Sequence, residues 1–516
     1  MEKKETLEIA GIEIPASDWA ATPASVQALV SHLVSLVKAV SQQATALSEQ
    51  MQPLRERVEV LEEQVSKNSK NSSKPPSADG FGKAVRPKRK PGKRGRGGQP
   101  GHPGAGRDLY PIERCDEVIE HYPAVCRSCG EGLSGSDGSP YRHQIVELPP
   151  IAPIVKEHRL HQLVCGHCGT ATRAQLPAAQ SSGYGSRLSG VVGLLSGSYR
   201  LSHGRVVSLL SELFDIRMSR SSVNRLRREL SAALAVPVEA AKHYVQAAPV
   251  IHSDETSFSQ GNSDGHNPEN KRGWLWVMVT PLVSYFEVFL SRSAASAQAF
   301  LGESVEGVVV SDRCGSYGWI GRRQVCWAHL LRDFTAIAQR SGASKEIGEA
   351  LLRRGHRLFR LWHQVRDDTR SRAEFQRAIA PLQRGLKKEL IAATRLVTPQ
   401  GSQSPLAKTV RTCEKLLQVE SALWTFVEVE GVEPTNNAAE RALRPAVIWR
   451  RTSFGSQSRA GSVFVSRLMT VVTSLNAQHR SVLDFLCHSI QAAREGTVPP
   501  ALLPQSDSEP TTCILS

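Results

Sequence analysis

Two short segments of this chain share one pattern, a run of apolar, mostly β-branched residues that ends in serine and aspartate. They are residues 249–254 (PVIHSD) and 307–312 (GVVVSD). Such runs are typical of buried strands, and ligands in open α/β sheets bind beyond the carboxyl ends of the strands. If the two strands are neighbours, Asp254 and Asp312 lie close enough to share divalent metal ions.

A third acid, Glu440, lies at the start of a predicted helix in residues 436–445 (NNAAERALRP). Phosphodiester hydrolysis needs charge neutralised on phosphate and an activated water, and two Mg²⁺ ions supply both. Three carboxylates are enough to hold them, because Mg²⁺ retains several waters. The alternative for each aspartate is an exposed acid at a strand end. For Glu440 it is a capping box, because Asn437 precedes it by three residues.

The positive charge of the chain is concentrated near its N-terminus. The net charge is +15, and the twelve lysines and arginines between Lys67 and Arg107 stand against one acid, Asp79. We predict a basic flexible arm over residues 68–107 that binds DNA phosphates; the alternative is a solvated linker. No apolar run approaches the roughly 18 residues of a membrane span and no signal peptide is recognisable, so we expect a cytoplasmic protein without a membrane partner.

Residues 24–67 have the spacing of a coiled coil. Apolar residues recur at alternating steps of four and three from Leu29 to Val65, with one slip after Val40. Pro53 disfavours a continuous helix, so we predict that a second helix begins there. We expect this segment to form a homo-oligomer; the alternative is an amphipathic hairpin that folds back on its own chain.

Residues 108–178 contain two Cys-x-x-Cys turns, each followed by glycine. The cysteine pairs are Cys126 with Cys129 and Cys165 with Cys168. Such turns present two thiolates to one metal, so we predict a structural four-cysteine Zn²⁺ site in a ribbon-like segment with strands at 144–148 and 154–156. The alternatives are a redox dithiol and free thiols.

Residues 183–243 are predicted to be helical, with the order of a helix-turn-helix. An apolar-periodic helix over 202–213 is followed by a short turn and a basic helix that begins after Ser219 or Ser221. Arg225 and Arg228 are among its exposed positions, which would suit the major groove of DNA. An ordinary helical hairpin with a basic face is the alternative.

We predict a multidomain protein in which residues 248–490 form an α/β domain. A hairpin (274–281 and 285–290) and a helix (294–301) precede strands at 308–312 and 324–327. Residues 329–430 are helical in pattern, and residues 497–516 are predicted to be a disordered tail.

Several side chains accompany the acids. His329 and Arg332, one helical turn apart, are candidates for contact with the scissile phosphate, although His329 could simply pack near the sheet. Arg441 and Arg444 flank Glu440 and could bind DNA phosphates or pair with acids. Glu255 is expected to point away from Asp254, because side chains alternate along a strand. The polar loop 260–271 has no assigned role.

Four of these segments resemble bacterial transposases of the insertion-sequence-66 family: residues 252–256 (HSDET), 311–317 (SDRCGSY), 326–334 (CWAHLLRDF) and 436–445. The order of zipper, basic arm, zinc-binding segment and catalytic domain is also similar. The resemblance implies a ribonuclease-H-like fold, with a helical insertion at about 335–430 and a catalytic Asp-Asp-Glu triad at Asp254, Asp312 and Glu440.

The chemistry that this resemblance implies uses two Mg²⁺ (or Mn²⁺) ions. They support cleavage at the ends of an element in double-stranded DNA, followed by attack of the freed 3′-hydroxyl on target DNA. Accessory proteins from the same element are possible partners. Two other functions remain open, a non-catalytic zinc-containing DNA-binding regulator with a degenerate nuclease fold and a structure-selective DNA nuclease.

Overall fold

A mixed five-stranded sheet organises the part of the chain that carries the candidate carboxylates. The computed structural model describes residues 6–9, 12–68, 70–72 and 107–504. Most of the basic arm predicted over 68–107 and residues 505–516 of the predicted tail lie outside the described residues. The chain divides into two compact units, one comprising Met1–Asp79, Pro177–Arg200 and Arg225–Ser516, and the other Gly80–Leu176 and Leu201–Asn224.

The strands in chain order are β1 (Thr6–Ile9), β2 (Ile12–Pro15), β3 (Gln162–Val164), β4 (Ala171–Arg173), β5 (Val250–Ser257), β6 (Trp274–Val279), β7 (Ser284–Phe289), β8 (Val308–Ser311) and β9 (Arg323–Val325). The helices are α1 (Ala16–Ala20), α2 (Ala24–Ser66), α3 (Ser186–Ser196), α4 (His203–Phe214), α5 (Arg220–Ala233), α6 (Ala235–Gln246), α7 (Ala294–Leu301), α8 (Trp327–Ala338), α9 (Gly342–Arg366), α10 (Arg372–Thr394), α11 (Pro405–Gln418), α12 (Thr425–Glu428), α13 (Asn437–Ser453), α14 (Arg459–Ala477) and α15 (Val482–Glu495).

The central sheet has the order β7-β6-β5-β8-β9. The pairs β5–β6 and β6–β7 are antiparallel, whereas β8 runs parallel to both β5 and β9. The predicted hairpin, the helix α7 and the two later strands are therefore confirmed. Strand β5 occupies the middle of the sheet, and the end of β8 lies beside the middle of β5.

Side chains of β8 alternate between two apolar cores. Val309 belongs to the core that also contains residues of α13, α14 and α15. Val308 and Val310 belong to a second core shared with the helices from α8 to α12. Because both faces of the strand are covered, each residue of the run 308–310 is buried, as the unbroken β-branched pattern predicted.

The helices α8 to α12 confirm the helical pattern predicted for residues 329–430. Three rings pack at their centre, with centroid distances of 5.6 Å between Trp362 and Phe375, 5.3 Å between Trp362 and Phe426, and 5.9 Å between Phe375 and Phe426. Offset and edge-on aromatic pairs of this kind stabilise a core beyond the area that they bury.

The helix α2 runs unbroken from Ala24 to Ser66 with Pro53 inside it, so the predicted break at Pro53 is wrong. Proline removes one backbone hydrogen bond and crowds the carbonyl of residue 49. Its neighbours Leu54 and Val58 are exposed, and water can hydrate the carbonyl that proline frees. By length and composition alone this helix could cross a membrane, which weakens the expectation that no segment approaches a span.

In the smaller unit, the two cysteine turns have the same local geometry. Gly130 donates to the Cys126 carbonyl (2.9 Å) and Gly169 to the Cys165 carbonyl (2.8 Å). Both glycines have positive φ, +80° and +71°, as predicted from their position after each turn.

The strands predicted at 144–148 and 154–156 are absent from this described part of the chain, so that prediction is wrong. Their apolar side chains are exposed: Ile145 is 86% and Ile154 is 92% accessible. A β-branched run without a strand partner has neither ladder hydrogen bonds nor a face to bury. Strands β3 and β4 instead form a hairpin around the second cysteine turn.

Candidate active site

Asp254 lies within β5, and Asp312 directly follows the end of the adjacent parallel strand β8. The pairing of β5 with β8 joins Val250 to Val308 and His252 to Val310. Continued by two residues, the same register places Asp254 opposite Asp312. Since side chains of directly paired residues on one face lie close together, the sheet brings the two carboxylates to one edge.

The protein surroundings disfavour a negative charge on Asp254. Burial raises the pKa of this carboxyl well above its usual value, and the nearby charges of Glu255, Asp312 and, more weakly, Glu440 add to the rise. Only the backbone N–H of Glu255, which donates to Oδ1 at 2.9 Å, opposes it. These acids are therefore near enough to Asp254 to oppose its ionisation, and a bound cation would relieve the repulsion.

Glu255 belongs to this cluster through Asp312, and its direction relative to Asp254 stays a prediction. Its side chain is fully buried and accepts a hydrogen bond from Arg292 Nε at 2.5 Å. The Tyr317 hydroxyl donates to its other oxygen. Arg292 Nη2 also lies 3.7 Å from Asp312 Oδ2. Arg292 is therefore shared between Glu255 of β5 and Asp312, which lies just beyond the end of β8.

Two candidate groups of metal ligands lie in the described part of the chain. Possible ligand atoms of Glu255, Asp312 and Cys314 are within 4.8 Å of one another, and so are those of Cys326, His329 and Glu440. The carboxylates in both groups suit a hard divalent cation. A guanidinium lies beside each group, that of Arg292 beside Glu255 and Asp312 and that of Arg332 beside Glu440.

Glu440 projects from the first turn of α13 towards α8. Its Oε1 lies 3.6 Å from His329 Nδ1, and its Oε2 lies 3.7 Å from Arg332 Nη2. The N-cap of α13 is Asn436, with no capping hydrogen bond from its side chain. The capping-box alternative for Glu440 is therefore wrong, because the carboxylate is directed into the site rather than back to the helix start.

Two polar atoms at this position lack hydrogen-bond partners. Among the described residues, Glu440 Oε1 and His329 Nδ1 are both buried without one. Burial lowers the pKa of His329, and the neighbouring charge of Arg332 lowers it further. A neutral imidazole nitrogen and a carboxylate oxygen left unsatisfied side by side fit the requirements of a divalent cation.

Asn436 connects the helix of Glu440 to the strand of Asp254. It is fully buried, its Nδ2 donates to the Ser253 carbonyl at 2.7 Å, and its Oδ1 accepts from His252 Nδ1 at 3.2 Å. Its backbone N–H donates to Cys326 Sγ at 3.2 Å. Asn436 therefore sets the distance between β5 and α13. It belongs to the motif 436–445, but the sequence did not predict this role.

The loop 260–271 is tied to the connection between α13 and α14. Gly261 donates to the Ser456 carbonyl at 2.8 Å, and Ser263 to that of Gln457 at 3.0 Å. Asn267, which is buried, closes the loop by donating to the Gln260 carbonyl at 2.8 Å. The loop thus braces the far end of the helix that carries Glu440.

The other predicted contact residues are distributed unevenly. Arg441 and Arg444 are exposed on α13, and Arg228 is exposed on α5. Arg225 donates to the Ser182 carbonyl at 2.8 Å, so part of its guanidinium is already engaged by the chain. The helix α5 begins after Ser219, whose hydroxyl accepts from Ser222 N at 3.0 Å, as predicted.

The four predicted zinc ligands lie in two pairs, and none of the four forms a disulfide bond. Hydrogen bonds from backbone groups of Cys129 and Ser128, then from the Cys129 side chain, lower the pKa of Cys126. Among the residues described, the two turns are not brought together as one metal cluster. The four-cysteine site stays a prediction.

Comparison with known proteins bears directly on this site. The model of the transposase IS66 family matches residues 197–463, more than half of the chain. The chain belongs to the IS66 transposase family. The matched region contains all three candidate carboxylates, and it runs from before β5 to within α14.

Two further likenesses cover more of the chain. Residues 14–108 match a family of unknown function, DUF6444. An uncharacterized protein, y4qI, of Sinorhizobium fredii is 24% identical over 417 residues, which cover 75% of this chain and 73% of the relative. Similarity to known proteins therefore also covers residues 14–108, before the sheet.

Proposed function

We propose that this member of the IS66 family is a DDE-type DNA transposase whose catalytic residues are Asp254, Asp312 and Glu440. The observation that carries the proposal is the convergence of three acids from distant parts of the chain. Asp312 follows the end of β8 and, by the register of the parallel pair, lies opposite Asp254 within β5, and the charge of Glu440 contributes to the raised pKa of Asp254. The mixed sheet and the helices between β9 and α13 support the ribonuclease-H-like fold that the resemblance implies.

The residues of the site have distinct tasks in this proposal. Bound Mg²⁺ or Mn²⁺ ions would neutralise charge on the phosphate and activate the attacking oxygen. The three carboxylates hold the ions, and Arg292 neutralises Glu255 so that one acid of the cluster is paired within the protein. Arg332, 28% exposed beside Glu440, is placed to contact a non-bridging phosphate oxygen.

Proton transfer at this site is limited to few groups. Since its lowered pKa keeps His329 uncharged near neutral pH, its imidazole can accept a proton or a hydrogen bond beside Glu440. In the proposed reaction, the DNA is first cleaved hydrolytically at the ends of the element. The same carboxylates then serve the attack of the freed 3′-hydroxyl on target DNA.

The remaining segments are assigned by the same proposal. Residues 24–67 associate two or more copies, the arm 68–107 and the basic helix of 183–243 bind double-stranded DNA, and the four cysteines of 108–178 hold a structural Zn²⁺. The exposed apolar side chains along α2 support the first assignment. We propose that the protein acts on DNA in the cytoplasm, which its family supports.

The test uses the full chain, Mg²⁺ and a linear duplex that contains the sequences flanking its coding region, with a supercoiled plasmid as target. We expect nicking of the duplex and joined products with the plasmid. Asp254→Asn, Asp312→Asn and Glu440→Gln should each lower nicking more than about 100-fold, since they remove direct metal ligands and loss of even an outer-shell partner costs 10–100-fold. Glu269→Gln, an exposed carboxylate in loop 260–271, is the matched control.

The alternatives give different results in this assay. A structure-selective nuclease would cleave branched DNA but form no joined product. A DNA-binding regulator would bind the duplex, and Asp254→Asn would leave its function unchanged. Nicking by wild-type protein that survives all three substitutions would contradict the proposed catalytic residues.

A further inference from the structure

The end of α2 meets α11 and the residue after Asp312 around a cavity of about 310 Å³. Its lining includes six cationic side chains, those of Lys67, Arg313, Arg340, Lys408, Arg411 and Lys415. Glu63 is the one acid among the lining residues. A concave surface with this excess of positive charge attracts polyanions.

An anion of the protein itself is already seated in this cavity. Glu63 Oε1 accepts from Arg340 Nη2 at 2.9 Å, and Glu63 Oε2 accepts from Lys408 Nζ at 2.7 Å. Burial alone would raise the pKa of Glu63, but hydrogen bonds from Lys408 and Arg340 outweigh it and lower the pKa. The carboxylate is therefore charged, and it shows where an oxyanion binds.

Arg340 is held in position for such a ligand. Its side chain is 11% exposed, and its Nη1 donates to Thr409 Oγ1 at 2.7 Å. Its Nε is buried without a hydrogen-bond partner. A guanidinium fixed by the protein, with one donor still unsatisfied, can bind a second oxygen of a phosphate as well as the first.

The cavity is adjacent in sequence to the candidate active site but separate from its carboxylates. Arg313, which lines the cavity, follows Asp312 directly and donates to Asp333 Oδ2 at 2.7 Å. Duplex DNA carries about one negative charge per 1.7 Å of its axis. A duplex with one phosphate at Asp312 thus has other phosphates within reach of the cations.

We propose that this cavity binds a backbone phosphate of duplex DNA away from the scissile position, and that Glu63 occupies the phosphate position in the DNA-free protein. The inference rests on the proposed function only in taking DNA as the ligand. Binding of DNA then displaces Glu63 from Arg340 and Lys408 and frees the end of α2. The zipper helix and the active site thereby respond to the same ligand.

The experiment measures binding of a fluorescein-labelled duplex by anisotropy in EDTA, over a range of salt concentrations, so that cleavage plays no part. Lys408→Gln with Lys415→Gln should weaken binding about tenfold and lower the magnitude of the slope of log K against log salt by about 0.9, since the cavity binds one phosphate and each phosphate contact contributes about 0.9. The control is Lys345→Gln with Lys388→Gln, which removes two exposed lysines from α9 and α10 and should change the slope little.

Glu63→Gln tests the displaced anion directly. It should tighten binding several-fold, because the competing carboxylate is gone, whereas Glu62→Gln on the exposed neighbouring position changes net charge equally without this effect. If the double lysine variant does not fold, as judged by circular dichroism, the comparison of these two glutamates decides.

Two results would overturn the inference. One is equal affinity and salt slope for the two double lysine variants. The other is a Glu63→Gln variant that binds DNA like Glu62→Gln while α2 becomes more sensitive to protease, because Glu63 would then be a structural tie only. If the wild-type protein does not nick DNA but the variants change DNA binding as expected, the result would count against the proposed catalysis. The phosphate site would still stand.

Discussion

Replacing Asn436 by alanine should both destabilise the domain of residues 248–490 and impair the candidate active site. The side chain is fully buried and bonds to the Ser253 carbonyl at 2.7 Å and to the His252 ring at 3.2 Å. Burial lowers the pKa of His252, so near neutral pH the ring is uncharged and donates through Nδ1. Alanine removes both bonds and leaves a buried carbonyl and a buried N–H without these partners.

The size of the effect follows from those two bonds. A hydrogen bond contributes about 1 kcal/mol net, and a buried group left unsatisfied costs about 1–3 kcal/mol. We therefore expect the free energy of unfolding to fall by about 2–4 kcal/mol. For a domain the size of residues 248–490, roughly 250 residues, 1 kcal/mol lowers Tm by about 2–4 °C. The expected fall in Tm is therefore about 10 °C.

Differential scanning fluorimetry of the full chain measures this change, with Asn437→Ala as control. Asn437 is the same residue type one position later, but it is exposed. Nicking should fall in Asn436→Ala even at temperatures where the protein is folded, because Glu440 lies one helical turn beyond Asn436. Equal Tm values for the two variants would refute the view that Asn436 ties α13 to β5.

Three further predictions follow from the other sites. The folded-state pKa of Asp254 is raised, so its ionisation opposes folding increasingly as pH rises above the unfolded value of 3.8; Asp254→Asn in EDTA should raise Tm at about pH 8 and less at about pH 5, and an unchanged Tm at both would contradict the buried repulsion. The purified chain should contain about one zinc per molecule by mass spectrometry, lost in Cys165→Ser; zinc retained in that variant would exclude the four-cysteine site. Glutamate at both Leu33 and Leu36, which are exposed on α2, should convert an oligomer to monomer in light scattering, whereas Ser35→Glu should not.

Local patterns predicted most of the elements around the site. The runs 250–254 and 308–312 were assigned as strands from their β-branched residues, and the shared register of β5 and β8 then placed Asp254 beside Asp312. The helix α7 and the helix that carries Glu440 were also predicted from the sequence. These predictions succeed because each rests on neighbours within one turn or one strand, where side-chain periodicity determines which face is buried.

Contacts between distant segments were not predictable in this way. The bond of Glu255 to Arg292, 37 residues later, and the approach of Arg292 to Asp312 could not be predicted from local patterns. The bonds of Glu63 to Arg340 and Lys408 span 277 and 345 residues. The strands expected at 144–148 and 154–156 had suitable residues but no partner to pair with. A periodic pattern reports only the preference of a segment, whereas the choice of partner depends on which groups the completed packing brings within a few ångströms of one another.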